Sequence, residues 1–238
     1  MGTFLPISET FLSIQGEGKL SGVPSFFIRV SGCNLRCAWC DTPYASWSPE
    51  GGTRGIGELV EAAAASRARH VVVTGGEPMM FDGVVELCAG LRARGLHITI
   101  ETAGTIDRAV ECDLMSISPK LSNSTPAKDD PRDPGGAWRE RHEARRIDLA
   151  ALRGLLGRFP SRQLKFVVSR FEDVVEIENL LGELPPVDPS DVLIMPEGVT
   201  TPSAEKKEWV LRMCSEGGRG WRYCPRLHIE LFGNVRGT

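Results

Sequence analysis

The chain has 238 residues, long for one small domain and short for two ordinary ones of ~150 residues each, so a single layered domain spanning 1–238 is expected. With 41% hydrophobic and 25% charged residues it is no disordered tail, and 26 Gly with 16 Pro in no fixed period exclude a collagen-like chain. A formal charge of −3 gives no reason to expect nucleic acid, and no apolar run approaches the ~20 residues of a membrane span.

The opening stretch, MGTFLPISETFLSIQGEG, carries acidic and polar residues and has no basic region followed by an apolar one, so no export signal is read. Met1-Gly2 is not followed by the hydroxyl residue that myristoylation needs, since Pro6 stands there. A cytoplasmic protein is expected. Strand and helix patterns then alternate. Residues 25–31 (SFFIRVS) read as a strand, 55–69 as an Ala-rich helix, and His70–Thr74 as a β-branched strand ended by Gly75-Gly76. A helix over 80–94, a strand over 97–101 and a short strand over 114–118 follow. Beyond a break come a helix (146–157), a strand (163–169), a helix (172–181), a strand (191–195), a helix (202–215) and a last strand (226–232). This alternation predicts βαβ units and a mainly parallel α/β sheet. The break itself, 122–146, is rich in Pro, Gly and both signs of charge, and reads as a solvated, flexible insertion that Trp138 could anchor.

Ligands of parallel sheets gather beyond the carboxyl ends of the strands. Those positions hold Gly32-Cys33 onward, Gly75-Gly76-Glu77-Pro78, Glu101-Thr102-Ala103-Gly104-Thr105, Pro119-Lys120 and Pro196-Glu197-Gly198. All are small, polar or charged, as one shared site would need.

The seven cysteines are Cys33, Cys37, Cys40, Cys88, Cys112, Cys214 and Cys224. An odd count with three of them inside one short loop argues against a disulfide framework. Cys88 falls on a helix and would be buried as a small hydrophobe. Cys33-Asn-Leu-Arg-Cys37-Ala-Trp-Cys40 is a C-x3-C-x2-C loop of soft thiolate ligands. On a four-iron cube three thiolates leave one iron open, whereas a structural zinc knuckle would need a distant Cys or His as its fourth ligand.

The C-x3-C-x2-C loop after a strand, followed by Gly75-Gly76-Glu77-Pro78 after the next one, resembles the radical S-adenosylmethionine superfamily. Ser13-Ile14-Gln15-Gly16-Glu17-Gly18, Phe27-Ile28-Arg29, Cys40-Asp41-Thr42-Pro43-Tyr44-Ala45, Glu101–Thr105, Ser118-Pro119-Lys120 and Pro225-Arg226-Leu227-His228-Ile229 are more narrowly similar to the 7-carboxy-7-deazaguanine synthase family. The likeness spans nearly the whole chain apart from 122–146. It implies a truncated, open (β/α) barrel and conversion of 6-carboxy-5,6,7,8-tetrahydropterin to 7-carboxy-7-deazaguanine with loss of ammonia. It also implies a [4Fe-4S] cluster, S-adenosylmethionine, Mg²⁺, a homodimer and an electron donor of the flavodoxin or ferredoxin type.

By resemblance, Cys33, Cys37 and Cys40 hold three irons. Arg29 grips the substrate carboxylate, as a planar guanidinium suits, or else sits in a surface ion pair. Ile14, Gln15 and Gly16 read the pterin edge, Thr102 meets the substrate, and His228, set in a strand pattern, either touches the substrate or stays in the core or at the surface. Thr42 ligates Mg²⁺ or caps a helix that begins at Pro43. Glu17 either accepts a proton or caps. Gly76 and Glu77 take the methionine amino group, Gly104 lies against the adenosyl group, and Ser118, Pro119 and Lys120 serve ribose or carboxylate oxygens. Met195, Pro196, Glu197 and Gly198 flank the adenine. Trp39 covers the adenine or the cluster, or packs in the core, and Asp41 supports or caps. A different radical S-adenosylmethionine enzyme, such as a glycyl-radical activase, and a zinc-stabilised binding module are the competing readings.

Overall fold

The computed structural model describes residues 3–238, so Met1-Gly2 and the myristoylation reading attached to them lie outside the described residues. In chain order the elements are β1 (Phe4–Ile14), β2 (Pro24–Val30), β3 (Gly52–Gly55), α1 (Ile56–Ala65), β4 (His70–Gly75), α2 (Gly83–Ala93), β5 (His97–Thr102) and β6 (Leu114–Ile117). They continue with α3 (Ala137–Arg145), α4 (Leu149–Arg158), β7 (Arg162–Val168), α5 (Asp173–Gly182), β8 (Val192–Pro196), α6 (Ala204–Ser215), β9 (Arg222–Tyr223) and α7 (Leu227–Phe232).

One sheet runs in the order β3-β1-β2-β4-β5-β6-β7-β8-β9. From β2 to β9 all pairings are parallel, while β1 pairs antiparallel with both β2 and β3. The order is linear and the sheet does not close, which is the open, mainly parallel (β/α) arrangement expected from the sequence.

Alternation along each strand decides what points where, because successive side chains take opposite faces. Ile28 and Val30, Val71 and Val73, Ile98 and Ile100, Leu164 and Phe166, and Val192 and Ile194 share one core with the helices. Buried faces recur at helical spacing, as at Ile56, Leu59, Val60 and Ala63 of α1. Asp148 caps α4 by accepting from the Ala151 amide at 2.9 Å. The intervening strand residues, Arg29, Thr74, Glu101, Gln163 and Lys165 among them, belong to the opposite face. Val167, Leu193, Met195 and Cys224 form a smaller core there with Trp39.

Two expectations are corrected. The last predicted strand, 226–232, is instead helix α7: Ile229 is buried, Leu231 and Phe232 are exposed, and Gly233 ends the turn at φ +74°. His228 therefore sits on a helix, not a strand. The segment 122–146 is not simply solvated either, since it carries α3 and buries Ser124, Asp130, Asp133 and His142. Trp138 does anchor it, through a stack with Arg36 of the cysteine loop. No described helix is long and apolar enough to cross a membrane.

Candidate active site

A cavity of about 460 Å³ opens at the carboxyl ends of the parallel strands. Its wall brings together Ile14, Gln15, Gly16 and Glu17, Arg29, all three cysteines of the loop, Trp39, Asp41 and Thr42. Gly76, Thr102, Ser118, Lys120, Met195 and His228 complete the predicted residues that it collects. Glu77, Gly104, Pro119, Pro196, Glu197 and Gly198 are not among the residues that line it.

Glu77 shows why. It is fully buried, and its carboxylate accepts from the Met79 amide (3.0 Å), the Thr102 hydroxyl (2.8 Å) and the Ala103 amide (2.8 Å). Burial pushes its pKa up and these donors pull it back. The side chain ties the end of β4 to the end of β5. Gly104, at φ +76°, has Leu152 and Ile117 where a Cβ would go. Glu197 pairs with Lys206, and the Gly198 carbonyl accepts from Arg226.

The Gly-Gly pair after β4 supports the cysteine loop. Gly76 packs so closely on the carbonyl oxygens of Gly32 and Ala45 that any side chain would overlap backbone. The Glu77 amide donates to the Gly32 carbonyl at 2.9 Å, and the Gly32 amide to the Ala45 carbonyl at 2.8 Å. Above this base the three thiols enter the cavity wall together. Burial pushes Cys33 up to about 12 and Cys37 higher still, while Arg36 favours the Cys33 thiolate and Lys120 the Cys37 thiolate. Among the described residues no three His, Cys, Asp or Glu side chains are grouped to hold a single metal ion. Three soft thiol donors sharing one cavity beside cationic side chains suit a cluster that takes one thiolate per iron. Lys120 donates to the Ser118 hydroxyl at 2.8 Å and lies 5.6 Å over the Trp39 ring. The Trp39 indole N–H is fixed on Asn123 at 3.1 Å.

The other end of the cavity is built for a polar, flat molecule. Gln15 is buried; its Nε2 donates to Glu101 at 3.1 Å and its Oε1 accepts from the Glu17 amide at 3.1 Å. Glu101 also accepts from Thr74 at 2.7 Å. Arg29 makes an ion pair through Nε with Glu9 at 2.7 Å and stands 5.5 Å over Phe11, so its pairing is at the cavity and not on an outer surface. Thr42 occupies the cap place before a short turn at Pro43–Ala45, yet its hydroxyl caps nothing. Gly16 leaves the room that the His228 ring fills, and its carbonyl accepts from the Leu227 amide at 2.8 Å.

Beneath lies a charge chain that the motifs did not reveal. Glu17 pairs with Lys165 and, at 3.0 Å, with Arg226; Arg226 also pairs with Asp41. Burial alone would raise the Glu17 pKa, but Lys165 and Arg226 hold it far below the usual carboxylate range. Burial would lower Lys165 and Glu17 raises it instead. His228 is lowered by burial, against the pull of Glu17. A lysine inside the apolar run QLKFVVS was the available signal for Lys165, because a charge is not buried in a strand without a partner. Glu101, Tyr44 and Arg226 stood inside family-like motifs without a role, and Glu9 carried no signal. The tail after α7 reaches back to the cavity as well: Arg236 donates to Glu9 (3.1 Å) and Glu50 (3.0 Å) and stacks 4.0 Å over Tyr44.

Residues 27–144 match the Radical SAM superfamily. The 7-carboxy-7-deazaguanine synthase of Rhodopirellula baltica is 46% identical over 236 residues, covering 98% of this chain and 89% of that protein. The synthase of the same name from Halobacterium salinarum is 45% identical over 245 residues, covering 100% and 94%. The crystal structure of QueE from Escherichia coli superposes with a TM-score of 0.69 at 25% identity, covering 94% of this chain and 95% of that one.

Proposed function

The chain belongs to the 7-carboxy-7-deazaguanine synthases, enzymes of the radical S-adenosylmethionine superfamily, and on that premise we propose how its residues divide the work on a 6-carboxytetrahydropterin. The carrying observation is that one cavity joins three thiols at one end to a guanidinium, an amide and a fixed carboxylate at the other. Cys33, Cys37 and Cys40 would hold the cluster. With S-adenosylmethionine bound there, that cluster would supply radical chemistry, reactivity that no acid or base of the chain could provide.

Arg29 binds the substrate carboxylate; Glu9 engages its Nε and orients the fork. Gln15, locked by Glu101 and the Glu17 amide, presents a fixed donor–acceptor edge to the pterin with the Ile14 and Gly16 backbone. Thr102 closes that side. Glu17, held ionised by two cations, is a weak base, so it positions Lys165 and Arg226 and does not accept a proton. His228, kept neutral by burial beside Gly16, is the better proton acceptor of the two during aromatisation. Ser118 and Lys120 serve the carboxylate or ribose of S-adenosylmethionine, with Met195, Gly76, Asp41 and Trp39 around it, and Glu77, Gly104, Pro119, Pro196, Glu197 and Gly198 shape its seat from behind. The hydroxyl of Thr42, which caps nothing and lies 3.8 Å from Cys40 Sγ, would ligate Mg²⁺, a hard ion that keeps several waters and would share substrate oxygens.

The proposal also includes a cytoplasmic homodimer reduced by a flavodoxin- or ferredoxin-type donor. The decisive experiment is anaerobic incubation of reconstituted protein with the pterin, S-adenosylmethionine and a reductant, followed by mass spectrometry. Formation of 7-carboxy-7-deazaguanine without any protein partner supports the reading and excludes an activase. No product from protein that carries four irons would overturn it.

A further inference from the structure

The outer half of the cysteine loop is held by the segment 122–146, which no motif implicated. The Arg36 amide donates to His142 Nδ1 at 3.1 Å, and the Ala38 amide to the Ser124 carbonyl at 2.8 Å. His142 is completely buried on α3, and its Nε2 lies 2.9 Å from the Ser124 hydroxyl. That hydroxyl already donates to the Leu121 carbonyl at 2.6 Å, so it must accept from the ring. The ring is thereby fixed as the Nε2–H tautomer, which leaves the Nδ1 lone pair for the Arg36 amide.

One turn earlier on the same helix, Trp138 lies 3.9 Å from the Arg36 guanidinium, which itself donates to the Cys33 (2.7 Å) and Leu35 (2.8 Å) carbonyls. Positions 138 and 142 share a helix face, so α3 grips Arg36 by side chain and backbone at once. Arg36 directly precedes Cys37. We infer that His142 is a positioning residue for the cluster, fixing through the Arg36 amide the path of the loop between Cys33 and Cys37 and so the direction from which both thiolates meet their irons. The inference rests on the cluster reading of the cysteine loop.

An apolar residue of similar volume would fill the space but leave a buried amide without an acceptor. The test uses full-length protein reconstituted anaerobically as wild type, His142→Leu, His142→Asn and Ser124→Ala. Iron per chain, the electron paramagnetic resonance signal of the reduced cluster with and without S-adenosylmethionine, and the cluster reduction potential are measured. Hydrogen exchange at the Arg36 amide is followed in the iron-free chain.

His142→Leu is expected to speed Arg36 exchange at least tenfold, to lose half or more of the iron, and to alter the cluster signal and potential. His142→Asn, whose side-chain oxygen can replace Nδ1 as acceptor, should return all of these toward wild type. A folded His142→Leu variant with wild-type signal and potential overturns the inference, and so does an Asn variant no better than Leu. If His142→Leu fails to fold, Ser124→Ala decides, since it frees the tautomer: an altered signal supports the inference and an unaltered one overturns it. Wild-type protein that cannot hold four irons would instead sink the cluster reading.

Discussion

Replacing Lys165 by Met keeps most of the stem volume and deletes one charge from the chain linking Glu17, Lys165, Arg226 and Asp41. The Lys165 and Glu17 side chains are only 8% and 13% exposed, so both are largely out of solvent. Breaking a buried pair costs about 3–5 kcal/mol when the survivor is left unpaired. Glu17 keeps Arg226 at 3.0 Å, so the expected loss at pH 7 is smaller, about 2–3 kcal/mol by the same reasoning. For a chain of this size that corresponds to a fall in Tm of roughly 4–12 °C.

The pH dependence follows from both partners. Glu17 is depressed from its ordinary 4.5, so its contribution is complete above that value and is lost as pH falls below it. Lys165 is raised from 10.5, so its contribution is complete below that value and is lost as pH rises past it. In wild type the pair is fully stabilising from about pH 4.5 to 10.5. Between pH 7 and pH 4 the gap between wild type and Lys165→Met should narrow, because protonating Glu17 removes the partner that Lys165 stabilises. Urea unfolding of the iron-free chain at the two pH values measures this, with Glu17→Gln completing a double-mutant cycle. A loss below about 1 kcal/mol at pH 7, or a gap that does not move with pH, refutes the buried-chain argument.

Arg29→Ala should weaken binding of the carboxylated pterin by about 1.5–3 kcal/mol, read by calorimetry on iron-loaded protein; equal affinity removes Arg29 from that role. Thr42→Val should raise the Mg²⁺ concentration needed for half-maximal turnover and leave iron content unchanged, and an identical titration curve counts against the ligand assignment. Gly76→Ala places a Cβ against two backbone carbonyls that cannot yield, so a loss of about 3 kcal/mol or more, with poor cluster loading, is expected in unfolding and iron assays. Gly16→Ala meets the movable ring of His228 instead, so the fold should survive while KM for the pterin rises; an unchanged KM would show that this edge is not read.

The parallel strands were legible because their helix-facing residues are aliphatic nearly throughout, as at Val71 and Val73 or Ile98 and Ile100. Their cavity faces were not, because Arg29, Glu101 and Lys165 interrupt those runs one residue at a time. β1 is hidden by Pro6 and by Ser8, Glu9 and Thr10, which the ladder accommodates with an irregularity between Ile7 and Glu9. Helix α7 was misread because Leu227-His228-Ile229 alternates for three residues, too few to separate a period of 2 from one of 3.6. The Cys33–Cys40 loop and the Gly75-Gly76 turn announced themselves by spacing, since metal ligation and close backbone approach each require a particular residue. Its cradle in 122–146 did not, because the buried Asp130 and Asp133 are satisfied by Arg132 and by the Trp138 and Arg139 amides within the segment itself, and composition alone reads such residues as solvated.

Glu9 serves three groups at once: Arg29 in the cavity, Tyr44 beyond the cysteine loop and Arg236 in the tail. Glu9 holds Arg29 through Nε, so the guanidinium fork stays turned to the cavity while the same carboxylate fastens Tyr44 and Arg236. One side chain thus joins the wall of the chamber to its outermost strap, so that what shapes the interior also fastens the doorway.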